Sequence, residues 1–132
     1  MSDLGAVLYV VDLPRAVEFY RVTTNWSVQA QESGFATLES PSAQGSTVLT
    51  LVRIPDEIAA DIFISDPPQR REETPIKLSF AVADIATVRE LAPTVGGVVD
   101  PADLEWTFGS IRVCDGHDPE GNVVQFRQLI AQ

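Results

Sequence analysis

The chain has 132 residues, the length of one ordinary domain, and 45% of them are hydrophobic, which supplies a packed core and excludes wholesale disorder. Nineteen acidic residues against nine basic ones give a formal net charge of −10, so nucleic acid and anionic membranes are not expected partners. One cysteine allows no internal disulfide, and no apolar run has the length of a membrane span, so we expect a cytoplasmic protein without a secretion signal.

The first half of the chain predicts one strand, one helix and then three strands. An apolar run over 5–11 is typical of a strand, and Asp12 and Pro14 after it are typical of the start of a helix. Helical spacing then places four apolar residues on one stripe: Ala16, Val17, Phe19 and Tyr20. Three further strands are predicted over 26–32, 35–39 and 46–54, with a turn at 33–34 and a loop over 41–45.

A connecting segment is predicted over 55–75, where prolines interrupt any regular periodicity. We expect this segment to lie partly over the surface. The second half repeats the opening order: a strand over 76–83, the N-cap Asp84 and a helix over 85–95 that ends at Gly96. Strands are then predicted over 98–99, 106–113 and 123–128.

The two halves form an internal repeat. Val10-x-Asp12-Leu13 matches Val82-x-Asp84-Ile85, and the two aspartates are 72 positions apart. Such self-similarity, followed by the same order of elements, predicts two copies of one β-α-β-β-β unit.

The segment 118–126 contains the last predicted turn and the start of the last strand. The run Asp-Pro-Glu-Gly-Asn over 118–122 is typical of a turn, and strand alternation then places Val123, Gln125 and Arg127 on one face. Residues 114–118 just before it are predicted to form a further turn with side chains facing water, so we expect no metal role for His117.

Three motifs resemble those of the vicinal oxygen chelate superfamily, which includes glyoxalase I, bleomycin-resistance proteins and extradiol dioxygenases. They are the run over 7–20, the sequence Phe80-x-Val-x-Asp84 and the run over 118–126. The resemblance implies an α+β fold in which two tandem β-α-β-β-β modules, 4–54 and 76–130, are joined by 55–75. It further implies a cup-shaped mixed sheet with helices on the outside, in a homodimer.

The resemblance also implies four positions for the divalent metal of the metal-dependent enzymes: Gly5, Thr50, Lys77 and Gln125. None of these residues is a strong metal ligand, because tight divalent sites use His, Cys or carboxylates. We therefore expect no metal, no other cofactor and no catalytic residues. The branch that this pattern resembles most is the bleomycin-resistance one, which binds drugs without such chemistry.

Strand alternation predicts a mostly apolar cup with a few polar groups, as is usual for a small-molecule site. The expected ligand-binding residues are Tyr9, Thr50, Lys77, Ser79, Trp106, Gln125 and Arg127. We expect non-catalytic sequestration or carriage of an aromatic or cationic compound. Acidic clusters over 56–73 and 100–120 favour the cation, if they rim the cup.

Several alternatives stay open. The chain would be a lyase or a dioxygenase-type enzyme if metal ligands were displaced, or if Lys77 or Tyr9 served as acid-base groups without metal. A protein-interaction module with a vestigial cup is a third interpretation. A lysine such as Lys77 more often extends to solvent or pairs with a nearby acid, and core packing is the commoner role of a tryptophan.

Overall fold

The computed structural model describes residues 4–41 and 46–130, and its first half forms one four-stranded sheet. Strand β1 is followed by helix α1 and three strands: β1 Leu4–Val10, α1 Leu13–Thr24, β2 Ser27–Gln31, β3 Phe35–Glu39 and β4 Thr47–Arg53. The strand order is β1-β4-β3-β2, with β1 parallel to β4 and the remaining pairs antiparallel.

The second half forms a five-stranded sheet. A short helix, α2 Asp56–Ala59, comes first, and the elements that follow are β5 Leu78–Ala81, α3 Ile85–Leu91, β6 Val98–Val99, β7 Trp106–Phe108, β8 Ile111–His117 and β9 Val123–Leu129. The order β5-β9-β8-β6 again places the first and last strands in parallel, and β7 pairs with β8.

The helix starts follow from local hydrogen bonding. The Asp12 carboxylate accepts from the backbone N–H of Arg15 at 3.1 Å, and Asp84 accepts from that of Thr87 at 3.2 Å. Each side chain satisfies a donor that has no partner within its helix. At the end of α3 the chain continues as a 3-10 turn and stops at Gly96, whose φ of 84° suits glycine.

The internal repeat is visible in the register of the parallel strand pairs. Val7 lies opposite Thr50 in the first sheet, and Ser79 lies opposite Gln125 in the second. Because 7 and 79 are 72 positions apart, the first strands of both modules occupy equivalent places. The predicted α+β fold of two tandem modules is confirmed, although the exact division at 4–54, 55–75 and 76–130 stays a prediction.

One hydrophobic core joins the two halves. Residues of α1 pack with the inward faces of both sheets, and Phe80 lies beside Tyr20 and Trp26, with ring centroids 5.7 and 5.2 Å apart. Burial of such aromatic side chains contributes about 1.5–3 kcal/mol each. Trp26 therefore belongs to the packing layer rather than to the opposite face of the sheet.

The turn over 118–122 connects the modules through buried polar groups. The Glu120 carboxylate accepts from the backbone N–H groups of Val11 and Asp12 at 2.8–2.9 Å. Gly121 has a φ of 84°, and a Cβ there would lie 2.0 Å from the carbonyl oxygen of Gln69. The turn identified in the sequence thus contacts both the first module, through Glu120, and the connecting segment, through Gly121.

Some predicted boundaries were wrong. The single strand over 106–113 is a hairpin, β7 and β8, because Gly109 turns the chain with a φ of 57°. Residues 114–117 belong to β8 instead of a water-facing turn, and both Cys114 and His117 are buried. The predicted loop over 41–45 lies largely outside the described residues. Within the described residues, no helix has the length and apolar character needed to cross a membrane.

Candidate ligand-binding site

Each sheet has one face against the helices and the core, and we name the opposite faces together the cup face. The positions that strand pairing puts on it include Gly5, Val7, Tyr9, Phe35, Thr37, Glu39, Val48, Thr50, Val52, Ser79, Ala81, Trp106, Val113, Asp115, Val123, Gln125 and Arg127. Adjacent core positions such as Leu51 and Phe126 are fully buried, whereas Tyr9 is 63% exposed. The cup face therefore leaves apolar and aromatic surface uncovered in the single chain.

Two clefts lie beside β1, between the two sheets. One of about 300 Å³ is lined by Gly5, Ala6 and Val48 on one side and by Lys77 and Ser79 on the other. The second, of about 260 Å³, lies between β1 and the start of β9. Volumes of this size suit part of a small organic molecule.

Three predicted ligand-binding residues form a hydrogen-bonded chain on the second sheet. Arg127 donates through Nε to the hydroxyl of Ser79 at 2.8 Å, and that hydroxyl donates to Oε1 of Gln125 at 2.7 Å. The parallel pairing of β5 with β9 places Ser79 beside Gln125, and Arg127 follows two residues later on the same face. The sequence placed all three on the lining, but their mutual contacts depend on strand register.

Lys77 and Trp106 form a second group at the same face. The Lys77 ammonium pairs with the Asp115 carboxylate at 2.9 Å and lies 5.7 Å from the centroid of the Trp106 ring. Trp106 is 41% exposed, so part of its surface is open to solvent. The structure thus engages the positive charge of Lys77 within the chain and leaves Trp106 available for stacking.

The remaining predicted residues, Tyr9 and Thr50, lie on the first sheet. Thr50 is half-buried opposite Val7, and Tyr9 lies opposite Val52. They are separated from Ser79 and Arg127 by the gap between β1 and β5, because the two sheets share no strand pairing. The seven predicted residues therefore share one face and form two groups on the two sheets.

The connecting segment contributes a contact that sequence reasoning missed. Arg70 pairs with the Asp100 carboxylate at 2.6 Å and donates through Nε to Nδ1 of His117 at 3.2 Å. Burial and the adjacent Arg70 guanidinium lower the pKa of His117 below its ordinary value of 6.5. No periodicity in 55–75 reveals this pairing, and only the isolated Arg-Arg pair at 70–71 signals a cation there.

The acidic cluster over 100–120 does not form the exposed rim that we expected. Five of its six acids have internal partners: Asp100 with Arg70, Glu105 with Arg89, Asp115 with Lys77, Asp118 with Tyr20 and Glu120 with backbone N–H groups. These five carboxylates form ion pairs and hydrogen bonds within the chain, so they contribute less to the attraction of a ligand. Exposed acids are still present over 56–73, including Glu57 and Asp61.

The four positions of the superfamily metal do not fit a divalent ion here. Gly5 offers no side-chain ligand, Thr50 and Gln125 offer neutral oxygens, and Lys77 carries a positive charge that pairs with Asp115. Within 4–41 and 46–130, no three His, Cys, Asp or Glu side chains come together in a way that suits a metal ion. We therefore derive no chemical step through a metal at these positions.

Comparison with solved structures supports the same fold. A glyoxalase/bleomycin resistance protein/dioxygenase family enzyme from Burkholderia phytofirmans aligns with a TM-score of 0.65 at 12% identity, over 98% of this chain and 100% of that one. A fosfomycin resistance protein from Listeria monocytogenes aligns with a TM-score of 0.64 at 14% identity, over 97% and 93% of the two chains. A glyoxalase/bleomycin resistance protein from Albidiferax ferrireducens gives 0.63 at 16% identity, over 95% and 96%.

At these identities the structural likeness shows the fold alone. A search of curated proteins finds no match. The model of the glyoxalase-like domain, however, matches residues 5–126, which is most of the sequence. Together with the paired β-α-β-β-β modules, this match shows that the chain belongs to the glyoxalase-like domain family of the vicinal oxygen chelate superfamily.

Proposed function

We propose that the protein binds a small aromatic molecule at the cup face and sequesters or carries it without chemical conversion. The observation that supports this most directly is the combination of exposed aromatic surface with a few fixed polar groups. Tyr9 and Trp106 offer open rings, and Ser79, Gln125 and Arg127 offer hydrogen bonds. This is the composition of a ligand site whose polar groups set orientation.

A cationic compound is the other ligand class that the sequence suggested. The net charge of −10 favours its approach at long range. Asp115, the cup-face carboxylate of the second sheet, is paired with Lys77. A cation beside Trp106 would therefore have to compete with an ion pair that already exists, which makes aromatic stacking the better supported part of the proposal.

An enzyme of the same superfamily remains the alternative function. It would need displaced metal ligands, or Lys77 or Tyr9 as an acid-base group. Against it stands the contact of the Lys77 amine with both oxygens of Asp115, at 2.9 and 3.1 Å, because this ion pair occupies the group that would have to act on a substrate. A fosfomycin resistance protein shares the fold, and that likeness does not distinguish binding from catalysis.

We further propose that the protein is a cytoplasmic homodimer that needs no metal. The uncovered apolar residues of β1, such as Leu4 and Val7, support assembly because a second subunit would shield them. Light scattering at micromolar concentration should report a two-fold mass. A chelator should leave the melting temperature unchanged, since a tightly bound metal would stabilise the native state by mass action.

The two tryptophans allow a direct test of ligand binding. Trp106 borders the cup face, whereas Trp26 packs against Phe80, so each can be made the single reporter. In Trp26→Phe, aromatic compounds should quench the remaining fluorescence in a saturable way. In Trp106→Phe the same compounds should quench little, and circular dichroism should confirm that both variants fold.

The outcomes separate the two functions. Saturable quenching, with the compound recovered unchanged by mass spectrometry, supports binding. Conversion of the compound, lost in Lys77→Gln or Tyr9→Phe, would instead establish the enzyme. Absence of saturable quenching in both tryptophan variants across an aromatic panel would reject the proposed site.

A further inference from the structure

The one cup-face cation without an ion pair is Arg127, within the part of the chain that the structure describes. Lys77, the other cation that reaches this face, is occupied by Asp115. A half-buried guanidinium without a counter-charge on a mostly apolar surface is a favourable place for an anion. Because Lys77 is paired and Arg127 is not, Arg127 is the cation of this face that can bind a negatively charged group of a ligand.

Hydrogen bonding also orients the guanidinium. Its Nε donates to the Ser79 hydroxyl, and Nη2 reaches the Ser79 carbonyl oxygen at 3.4 Å. Among the described contacts, both N–H groups of Nη1 and one of Nη2 have no acceptor. These groups form the outer end of the guanidinium, which matches the two oxygens of a carboxylate.

Gln125 adds a second donor because of the direction of the same chain of hydrogen bonds. The Ser79 hydroxyl accepts from Arg127, so its own hydrogen goes to Oε1 of Gln125. The amide nitrogen of Gln125 then has two N–H groups and no acceptor among the described contacts. Gln125 and Arg127 are two residues apart on one strand, or about 6.6 Å.

The open aromatic ring lies at a distance suited to the same ligand. Arg127 is opposite Val113 in β8, and Val113 is opposite Trp106 in β7. Two strand spacings separate Arg127 from Trp106, which is about 10 Å. Val113 itself is fully buried, so the ring would lie outside it, with one edge at Trp106 and a substituent at Arg127.

We propose that the ligand is an aromatic carboxylate, held by the Nη groups of Arg127 and the amide of Gln125 while its ring lies toward Trp106. This inference rests on the proposed binding function and names the chemical class of its ligand. The net charge of −10 acts in the opposite direction at long range, so a preference for anions would report a local site.

Calorimetric titration with three probes of one ring system tests the charge: 2-naphthoate, 2-naphthamide and 2-naphthylmethylammonium. The naphthoate should bind about tenfold or more tightly than the amide, because hydrogen bonds between charged groups are stronger than neutral ones. In Arg127→Gln this preference should fall to within about threefold. In Arg71→Gln, which removes an exposed arginine outside the cup face, it should persist.

Two further variants separate charge from orientation. Ser79→Ala keeps the charge of Arg127 and removes the hydroxyl that orients it, so part of the preference for naphthoate should remain. The double substitution Lys77→Gln with Asp115→Asn removes the neighbouring ion pair without leaving an unpaired carboxylate opposite Gln125, and a loss of the preference in that variant would assign the anion to Lys77 and overturn the inference. Thermal unfolding of each variant should show that the fold is retained.

The remaining outcomes are equally decisive. Equal affinity for the three probes, or tighter binding of the ammonium, would overturn the carboxylate inference and leave the proposed binding function intact. Lack of binding by all three would reject both, because the ring system itself would then find no site.

Discussion

The phenolic hydroxyl of Tyr20 donates a hydrogen bond of 2.7 Å to the Asp118 carboxylate, across 98 residues of sequence. Both side chains are almost completely buried. Burial, and then the adjacent carboxylate, raise the pKa of Tyr20 well above its ordinary value, so the tyrosine remains a donor at neutral pH. Helix α1 of the first module is thereby connected to the last turn of the second.

The first prediction is that Tyr20→Phe destabilises the fold. Asp118 keeps its contacts with the backbone N–H groups of Glu120 and Asn122, but it loses the donor from the other module. The free energy of unfolding should fall by about 1–3 kcal/mol, as for other buried charged groups that lose a partner. Urea unfolding followed by circular dichroism measures it.

Tyr9→Phe is the matched control, because Tyr9 is 63% exposed on the cup face. It should change the free energy of unfolding by no more than about 0.5 kcal/mol. Equal effects of the two substitutions would show that the Tyr20–Asp118 hydrogen bond does not connect the modules energetically.

The second prediction concerns Gly97, which lies against Phe19 of the first module. A Cβ at this position would lie 2.2 Å from Cε1 of Phe19 and 2.6 Å from the carbonyl oxygen of His117. Gly97→Ala should therefore force α1 away from the second module and cost about 1–3 kcal/mol, the usual range for overpacking. Thermal and urea unfolding provide the measurement.

Gly34→Ala serves as its control, since a Cβ there would meet no heavy atom within 4 Å. Its stability should be unchanged, or raised by up to about 1 kcal/mol through a less flexible unfolded chain. Similar losses in both variants would mean that glycine is required at these turns for backbone reasons, independent of the approach of Phe19.

These contacts show which parts of the molecule could be predicted. Asp12 and Asp84 each precede an apolar helical stripe, so local chemistry alone identified both helix starts. The spacing of 72 residues between these two aspartates then identified the repeat. Alternation in β9 likewise put Gln125 and Arg127 on one face. Signals of this kind depend only on neighbours within a few residues.

Other features depend on contacts between distant segments. His117 looked water-facing because glycine, aspartate and proline surround it, but pairing with β6 and β9 extends β8 through it and Arg70 covers it. The carboxylates of 100–120 looked like a rim because their partners Arg70, Lys77 and Arg89 lie 16 to 38 residues away. Register and the path of the connecting segment decide such contacts, and neither has a periodic signal.

The third prediction concerns Cys114, the one cysteine of the chain. It is fully buried opposite Phe126, and burial raises the pKa of its thiol above the ordinary value of 9.0. Alkylation by iodoacetamide at pH 8 should therefore be much slower in the native protein than in urea, since the reactive species is an accessible thiolate. Mass spectrometry follows the reaction, and similar rates in both states would contradict the buried position.

The last prediction concerns His117, the single histidine, and its contact with Arg70. The folded protein lowers the pKa of His117 below 6.5, so the unfolded chain takes up the proton first as the pH falls. The contribution of His117 to the free energy of unfolding should thus be largest above pH 6.5. It should decrease as the pH falls below 6.5, until the pH has passed the pKa of His117 in the folded protein. His117→Gln should flatten this dependence between pH 7.5 and about 5.5.

Because there is one histidine, a proton NMR titration of its ring measures the pKa without ambiguity. Arg70→Gln removes the adjacent positive charge and leaves the carboxylates of Asp100 and Asp118 nearby, both of which raise the pKa. The pKa of His117 should then move upward. Arg71→Gln, which changes the neighbouring exposed arginine, should leave it in place. A pKa that does not respond to Arg70→Gln would show that burial alone lowers it and that the connecting segment contributes no charge to the site.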